Sequence, residues 1–257
     1  WARTALASAL RSQGAWPQAE TIFKEALAVE PLYTAGYTGL ATAYLARGER
    51  DAAWSVLQAA AGVAPADAVV QTAIGQWYQH GARYPEAQAA FARAQALDHS
   101  LAAAPLGLAQ AYVAAGDRAQ ALAVLAEAAQ ALPTSAEVWL LRAQLLEALP
   151  ANAAADPNTP AAMYRQAAQR DQSAAAPWLA LAASRQRAAD ADGAQAALTE
   201  AAHREPRNPA VVVAQAEAIY ARGRITAAHT LLLTALQRTP GSTDLRLALA
   251  DLAQYAE

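Results

Sequence analysis

Histidine is the side chain in this sequence best suited to bind a metal ion or to transfer protons near neutral pH. The four histidines are spread along the chain, at His80, His99, His203 and His229. They have neither cysteine nor clustered carboxylate partners, and a zinc site needs several such ligands at one point. The sequence therefore predicts no metal site.

Recognisable catalytic motifs are also absent from the sequence. It contains no G-x-S-x-G nucleophile elbow, no H-E-x-x-H zinc motif and no glycine-rich phosphate loop. There is no cysteine, which excludes disulfides and thiolate chemistry. Serine, aspartate and glutamate occur, but not in an arrangement that pairs a nucleophile with a base. We therefore expect a protein that is not an enzyme and needs no cofactor.

The composition narrows the class of partner. The 257 residues carry a formal net charge of −3, with 55% hydrophobic and 16% charged residues. Arginines are dispersed along the chain rather than gathered in one stripe, so nucleic acid is not an expected partner. No apolar run reaches the length of about 18 residues that a membrane span needs, so we expect no direct membrane insertion of this segment.

The elements that position the side chains repeat with a period of about 34 residues, which is typical of helical repeat arrays. Pro31 and Pro65 lie one period apart, as do Pro206 and Pro240, and Pro133 follows Pro65 after two periods. Each proline ends an alanine-rich amphipathic stretch. Arrays of this kind form extended binding surfaces.

Each repeat contains two helical stretches separated by a glycine. The breaks between the paired helices are predicted at Gly14, Gly48, Gly81, Gly116 and Gly223, because glycine readily adopts the left-handed conformation that ends a helix. Alanine, the strongest helix former, is the most frequent residue of the chain. Its small side chain also lets the helices pack closely.

These units resemble the tetratricopeptide repeat (TPR) family. The second unit has the pattern of that family at Tyr37, Leu40, Ala41, Tyr44, Gly48, Ala53, Leu57, Ala60 and Pro65. Six further units match in the same register. The resemblance implies an all-α fold, an α-solenoid of antiparallel helix pairs wound as a right-handed superhelix of about 7.5 repeats. Residues Thr243 to Glu257 would form a terminal capping helix.

The resemblance also implies where a ligand binds. In that family the first helices of successive units line a concave groove. The matching groove residues of this chain are Thr38, Thr42, Thr72, Gln76, Gln79, His80, Gln110, Gln144, Glu147, Gln186, Arg187 and Glu217. Most are amides and hydroxyls, which suit a neutral ligand such as an extended peptide backbone or a polysaccharide. A solvated polar face is the alternative interpretation.

One insertion interrupts the period. The distance from Pro133 to Pro206 exceeds two periods, and the surplus lies in residues 150–160. Three prolines there, Pro150, Pro157 and Pro160, exclude a continuous helix. We predict a surface loop or a hinge at these prolines. The domain organisation would be residues 1–149, a loop at 150–160, and residues 161–257, which begin with the second helix of the fifth repeat.

The expected function is a non-catalytic binding scaffold with protein partners and, as a further candidate ligand, a polysaccharide. The alanine-rich, lysine-poor composition suggests a high-GC bacterium. Long arrays of this kind resemble periplasmic segments of envelope machines, and among them the export subunits for exopolysaccharides such as cellulose. A cytosolic adaptor or enzyme-regulating domain, and a pilus or secretion-system assembly factor, are the alternatives. Because the chain begins at Trp1 and stops within an eighth unit, we interpret it as a piece of a longer protein.

Overall fold

The computed structural model describes Leu10, residues 14–148 and residues 159–254, with only the backbone described for residues 253 and 254. Within these residues the chain forms fourteen α-helices and no strand. In chain order they are α1 (Trp16–Val29), α2 (Thr34–Ala46), α3 (Arg50–Val63), α4 (Ala68–His80), α5 (Tyr84–Leu97), α6 (Ala103–Ala114), α7 (Arg118–Ala131), α8 (Ala136–Glu147), α9 (Pro160–Arg170), α10 (Ala176–Arg187), α11 (Ala191–Arg204), α12 (Pro209–Ala221), α13 (Ile225–Arg238) and α14 (Thr243–Gln254).

The helices form two compact units, residues 1–133 and residues 134–257. In the first unit α1 packs on α2, and the pairs α2–α3, α4–α5 and α6–α7 follow. In the second unit the pairs are α8–α9, α10–α11 and α12–α13, and α14 covers the last pair. First helices of neighbouring repeats also touch, α2 with α4, α4 with α6, and α12 with α14. The predicted all-α solenoid of helix pairs is confirmed. The last helix begins at Thr243, where the capping helix is predicted, and the end of that predicted segment, residues 255–257, lies outside the described residues.

Left-handed residues end the first helix of most repeats. Four of the predicted glycines have positive φ angles, of +76°, +79°, +89° and +75° at Gly14, Gly48, Gly116 and Gly223. Gly81 also lies in such a turn, but there the left-handed residue is the next one, Ala82, at φ +54°. The sixth repeat has no glycine at this turn and uses Ala189, at φ +57°. An alanine in this conformation is strained by its Cβ.

Large and small residues alternate across the helix contacts of the core. A Cβ atom added to Gly39 would stand 2.4 Å from the buried Phe23 ring, and one on Gly107 would stand 2.4 Å from Phe91. The two pairs lie two periods apart in the sequence, so the same contact recurs two repeats later. The smaller Leu57 occupies the position of these rings in the second repeat and shares a core cluster with Ala73, which occupies the glycine position. In these repeats, therefore, the larger the side chain on the second helix, the smaller the residue that it meets on the facing first helix.

The side chain of Thr159 caps the start of α9. Thr159 Oγ1 accepts a hydrogen bond from the backbone N–H of Ala162 at 3.3 Å, and Pro160 occupies the first turn, where its missing N–H costs nothing. The other two prolines of the predicted hinge, Pro150 and Pro157, lie outside the described residues. The hinge and the division at residues 150–160 therefore stay predictions.

Candidate binding groove

An open pocket of about 380 Å³ lies on the first-helix face of the first unit. It is formed by α2, α4 and the start of α6. The residues that line it are Ala35, Thr38, Gly39, Thr42, Val69, Thr72, Ala73, Gln76, Leu101 and Ala103. Four of them, Thr38, Thr42, Thr72 and Gln76, belong to the predicted groove, so the structure brings these four together.

The pocket exists because small residues recur with the repeat period. Ala35 and Ala103 hold the same position on α2 and α6, and Gly39 and Ala73 hold another on α2 and α4. With side chains this short, the space between neighbouring first helices stays open. Val69 is larger, and 44% of its surface is exposed to solvent. The floor of the pocket is therefore apolar.

The polar groups of this pocket differ in what they offer a ligand. The hydroxyls of Thr38, Thr42 and Thr72 donate to carbonyl oxygens of the preceding turn of their own helices, at 3.3, 2.7 and 2.8 Å. Thr38 and Thr72 are also nearly buried, so they present methyl groups and hydroxyl lone pairs rather than free donors. Gln76 is exposed, and its amide supplies a side-chain donor at the pocket wall.

The other predicted groove residues of the first unit extend the same face. Gln110 on α6 is exposed and stands one period after Gln76, which places it at the same position of the next first helix. Gln79 is half-buried and His80 is exposed, both in the last turn of α4. None of these three lines the pocket itself.

In the second unit two of the predicted residues bind each other. Arg187 Nη1 lies 2.6 Å from Glu147 Oε1, and Tyr164 donates its hydroxyl to Glu147 Oε2 at 2.9 Å. Burial raises the pKa of the Tyr164 phenol well above its ordinary value, and the hydrogen bond to Glu147 raises it further. These contacts join α8, α9 and α10, so Glu147 and Arg187 have a structural role that the sequence did not reveal.

The remaining predicted residues of the second unit lie on α8, α10 and α12. Gln144 on α8 and Gln186 on α10 are exposed. Glu217 lines a pocket of about 250 Å³ between α12 and α14, together with Val213, Ala216, Tyr220, Leu232, Ala248, Asp251 and Leu252. Glu217 and Asp251 stand one period apart, at the position that Thr42 and Gln76 hold in the first unit. The same face is thus neutral in one pocket and acidic in the other.

The sequence reasoning missed part of each pocket. Val69, Ala103 and Leu101 supply the apolar surface of the first, and Asp251 supplies a second carboxylate to the other. The signal was present for three of them, because a shift of one period superposes Val69 on Ala103 and Asp251 on Glu217. Leu101 lies in a turn, outside the helical pattern, and had no such signal.

Two negative findings apply to the described residues. Over 14–148 and 159–254, no three histidine, aspartate or glutamate side chains come together in a way that would hold a metal ion. In that same part of the chain, no helix combines the length and apolar character required to cross a bilayer.

Solved structures share this fold at low sequence identity. A yeast Tom70 structure has a TM-score of 0.76 and 18% identity, over 99% of this chain and 54% of its own. The chain thus spans about half the length of that protein. A tetratricopeptide repeat protein from Parabacteroides merdae has a TM-score of 0.58 and 13% identity over 98% and 97% of the two chains. The Pseudomonas aeruginosa pilF structure has a TM-score of 0.51 and 15% identity over 97% and 96%.

The sequence itself also matches a family model. Among functionally curated proteins none matches the chain in sequence. The family model described as "Tetratricopeptide repeat", however, matches residues 10–76, 82–145 and 185–252, which is well over half of the chain. The repeat period, the paired helices and the small residues at their crossings are the features that such repeats share. The chain therefore belongs to the tetratricopeptide repeat family.

Proposed function

We propose that this chain is a non-catalytic scaffold whose first-helix face binds an extended segment of a partner protein. Tetratricopeptide repeats act as protein–protein interaction scaffolds. The observation that carries the proposal is the pocket between α2, α4 and α6, where the same positions of neighbouring first helices leave open space. A site built by repetition suits a ligand that is itself repetitive, such as a peptide backbone.

The chemistry of the pocket favours a neutral peptide. Its floor of alanine, valine and leucine accepts a small apolar side chain, and the amide of Gln76 can donate to a backbone carbonyl and accept from a backbone N–H. Contacts of this kind are weak one by one. Repetition at Gln110 on the next helix adds a second contact to the same ligand, which raises the overall affinity.

The first unit suits a polysaccharide less well than a peptide. Sugar rings commonly pack on open aromatic faces, but Trp54 and Trp77 stack on each other with ring centroids 4.4 Å apart. Arg50 lies over Trp77 at 5.4 Å, and the Trp77 indole donates to the Arg50 carbonyl at 2.9 Å. These rings are engaged within the chain. We therefore propose protein as the main partner and polysaccharide as the alternative ligand.

The test of the groove uses a pocket-filling variant. Ala103 is exposed at the pocket edge, so Ala103→Trp should fill the space while leaving the core intact. Ala123→Trp, on the exposed side of α7, is the matched control. Peptides would be selected from a random library on the unmodified chain, and their affinities compared by calorimetry. We expect the selected peptides to lose at least about tenfold in affinity with Ala103→Trp, or about 1.4 kcal/mol, and to keep it with Ala123→Trp.

Two outcomes of that experiment would contradict the proposal. If Ala103→Trp binds the selected peptides as well as the unmodified chain does, they do not occupy this groove. If no peptide is selected while a soluble oligosaccharide such as cellohexaose binds, the ligand is a polysaccharide.

For the finer function, we propose a periplasmic scaffold of a bacterial export machine for an exopolysaccharide such as cellulose. It would hold synthase components or guide the polymer to an outer-membrane pore. The support is the alanine-rich composition with a single lysine, Lys24, and the neutral first-helix pocket. Cell fractionation of the native protein tests this location, which recovery of the protein in the cytosol would contradict.

A pilus assembly factor is the second candidate, motivated by the fold that the chain shares with Pseudomonas aeruginosa pilF. Deletion of the native gene separates the two candidates. Loss of secreted polysaccharide with normal pili would support export, and the reverse phenotype would support pilus assembly. A cytosolic protein with neither phenotype would leave the adaptor alternative.

A further inference from the structure

A second kind of pocket lies away from the first-helix face in the second unit. It has a volume of about 530 Å³ and is enclosed by the turn before α12, by α12 and α13, and by the start of α14. It shares no lining residue with the acidic pocket between α12 and α14. The two pockets therefore offer separate surfaces to separate ligands.

This pocket is basic. Arg207 and Arg238 both line it, and no lining residue is acidic. Both arginines are exposed, and neither has an ion-pair partner among the described residues. A carboxylate pairs with five other arginines in the described part of the chain, Arg47, Arg83, Arg185, Arg187 and Arg204. Other exposed arginines there, such as Arg118, have no ion-pair partner either, so it is the pocket that distinguishes Arg207 and Arg238.

Glu205 is the acidic residue nearest to Arg207 in sequence, and its carboxylate already accepts hydrogen bonds from other groups. Glu205 accepts a hydrogen bond from the backbone N–H of Ala175 at 2.8 Å and another from Asn208 Nδ2 at 2.6 Å. The first of these bonds, followed by the second, lowers the pKa of Glu205, so the carboxylate stays ionised in those contacts. It does not neutralise Arg207.

The helix dipole favours a positive charge at the position of Arg238 but not at that of Arg207. Arg238 lies in the last turn of α13, where a cation is favoured by the helix dipole. Arg207 directly precedes Asn208, the N-cap of α12, and so stands at the positive end of that helix. A cation is disfavoured there unless an anion accompanies it. A bound anion would offset this unfavourable interaction.

The rest of the lining favours a ligand larger than a simple ion. Leu231 is half-buried and supplies the accessible apolar surface, since Val212 and Leu245 beside it belong to the buried core. Gln215 adds an amide that can pair with a peptide backbone. An inorganic anion would leave this apolar surface uncovered. A peptide that carries an apolar side chain next to a carboxylate would use both kinds of surface.

We propose that this pocket binds an acidic segment of a partner protein, with an apolar side chain against Leu231 and a carboxylate held by Arg207 and Arg238. The occupant is chosen by charge complementarity, since two unpaired guanidinium groups and no acid line the space. This pocket shares no lining residue with the pocket between α2, α4 and α6.

The experiment measures binding of a fluorescent peptide with alternating aspartate and leucine residues. The variants are Arg207→Gln, Arg238→Gln and their combination, with Arg118→Gln as the control. Arg118 is an exposed arginine on α7, so its loss changes the net charge equally. We expect each pocket variant to weaken binding by about fivefold or more, the double variant to abolish it, and Arg118→Gln to leave it unchanged. Added salt should weaken binding.

Two altered peptides and inorganic phosphate serve as probes that could contradict the proposal. A peptide with asparagine for aspartate should not bind, and a peptide with serine for leucine should bind more weakly. Equal binding of the serine peptide, or competition by inorganic phosphate alone at similar concentration, would make this a simple anion site and overturn the peptide proposal. If Arg118→Gln weakens peptide binding as much as the pocket variants do, the effect comes from net charge alone and the proposal is wrong.

A second copy of the chain is the other candidate for occupying this basic pocket. If sedimentation shows a dimer that the Arg207→Gln and Arg238→Gln variants dissociate, the pocket serves self-association and the proposal is wrong. A monomer in all variants, with peptide binding lost only in the pocket variants, supports it. Circular dichroism checks that the exposed substitutions leave the helices intact.

Discussion

Arg187 Nη1 lies 2.6 Å from Glu147 Oε1 and thereby joins the last turns of α8 and α10, the first helices of two successive repeats. The same carboxylate accepts the hydroxyl of Tyr164 on α9 at 2.9 Å. One carboxylate thus connects three helices at the place where the repeat period is interrupted in the sequence. A ligand on this part of the first-helix face would meet a paired charge rather than two free ones.

Removing the Tyr164 hydroxyl tests how much this connection stabilises the second unit. Tyr164→Phe keeps the buried ring and deletes one hydrogen bond to a charged group, so we expect the free energy of unfolding to fall by about 1.5–3 kcal/mol. Urea denaturation followed by circular dichroism measures the change. Tyr84→Phe, in the first turn of α5, is the control and should shift it by less than about 0.5 kcal/mol. Equal stabilities of the two variants would show that the Tyr164 hydroxyl does not stabilise the second unit.

The raised pKa of Tyr164 predicts a dependence of stability on alkaline pH. Its phenol remains protonated in the folded chain, whereas in the unfolded chain it ionises at about pH 10. The contribution to stability is therefore fully present below that pH and is lost as the pH rises above it, because only the unfolded state releases the proton. Above about pH 10 the unmodified chain should lose stability more steeply than Tyr164→Phe. Parallel curves for the two proteins would contradict this.

The contact of Gly107 with Phe91 predicts a sharp response to one methyl group. In Gly107→Ala the new Cβ would stand 2.4 Å from the buried ring, so we expect a loss of about 1–3 kcal/mol of unfolding free energy. Gly62, near the end of α3, has no neighbour within 4 Å of such a Cβ. Gly62→Ala should therefore stabilise the chain by about 0.5–1 kcal/mol, because alanine favours the helix. Chemical denaturation compares the two variants, and the same sign for both would contradict the packing argument.

The left-handed alanine at the turn of the third repeat predicts an unusual gain from glycine. Ala82→Gly removes the strain of a Cβ at φ +54° and should raise the free energy of unfolding by about 0.5–1 kcal/mol. Ala123→Gly, in the exposed middle of α7, should lower it by about 1 kcal/mol, because glycine disfavours a helix interior. Thermal and urea unfolding measure both changes. A destabilised Ala82→Gly would show that the turn is not strained.

The repeat period accounts for what the sequence predicted correctly. Proline and glycine mark helix ends through backbone chemistry that is local, so Gly14 and Gly116 were recognised as left-handed breaks and Pro160 as the start of a helix. Ala82 and Ala189 gave no such signal, because alanine is the commonest helix residue in the chain.

The candidate site was predictable only in its register. A shift of one period superposes Thr42, Gln76 and Gln110, and the structure places the first two in one pocket. Which of these side chains are available to a ligand depends on neighbours distant in sequence. Thr38 is nearly buried, and Arg187 reaches Glu147 from the far side of the insertion, so neither fact could be read from the spacing.

The most direct test of the central claim is a map of where a selected peptide contacts the chain. Isotope-labelled protein would be titrated with the peptide and followed by nuclear magnetic resonance. We predict that the signals of Thr72, Gln76 and Ala103 shift with the peptide concentration, while those of Ala123 on the outer helix α7 stay in place. Shifts that avoid the first-helix residues and cluster on the second helices would contradict a binding groove on this face.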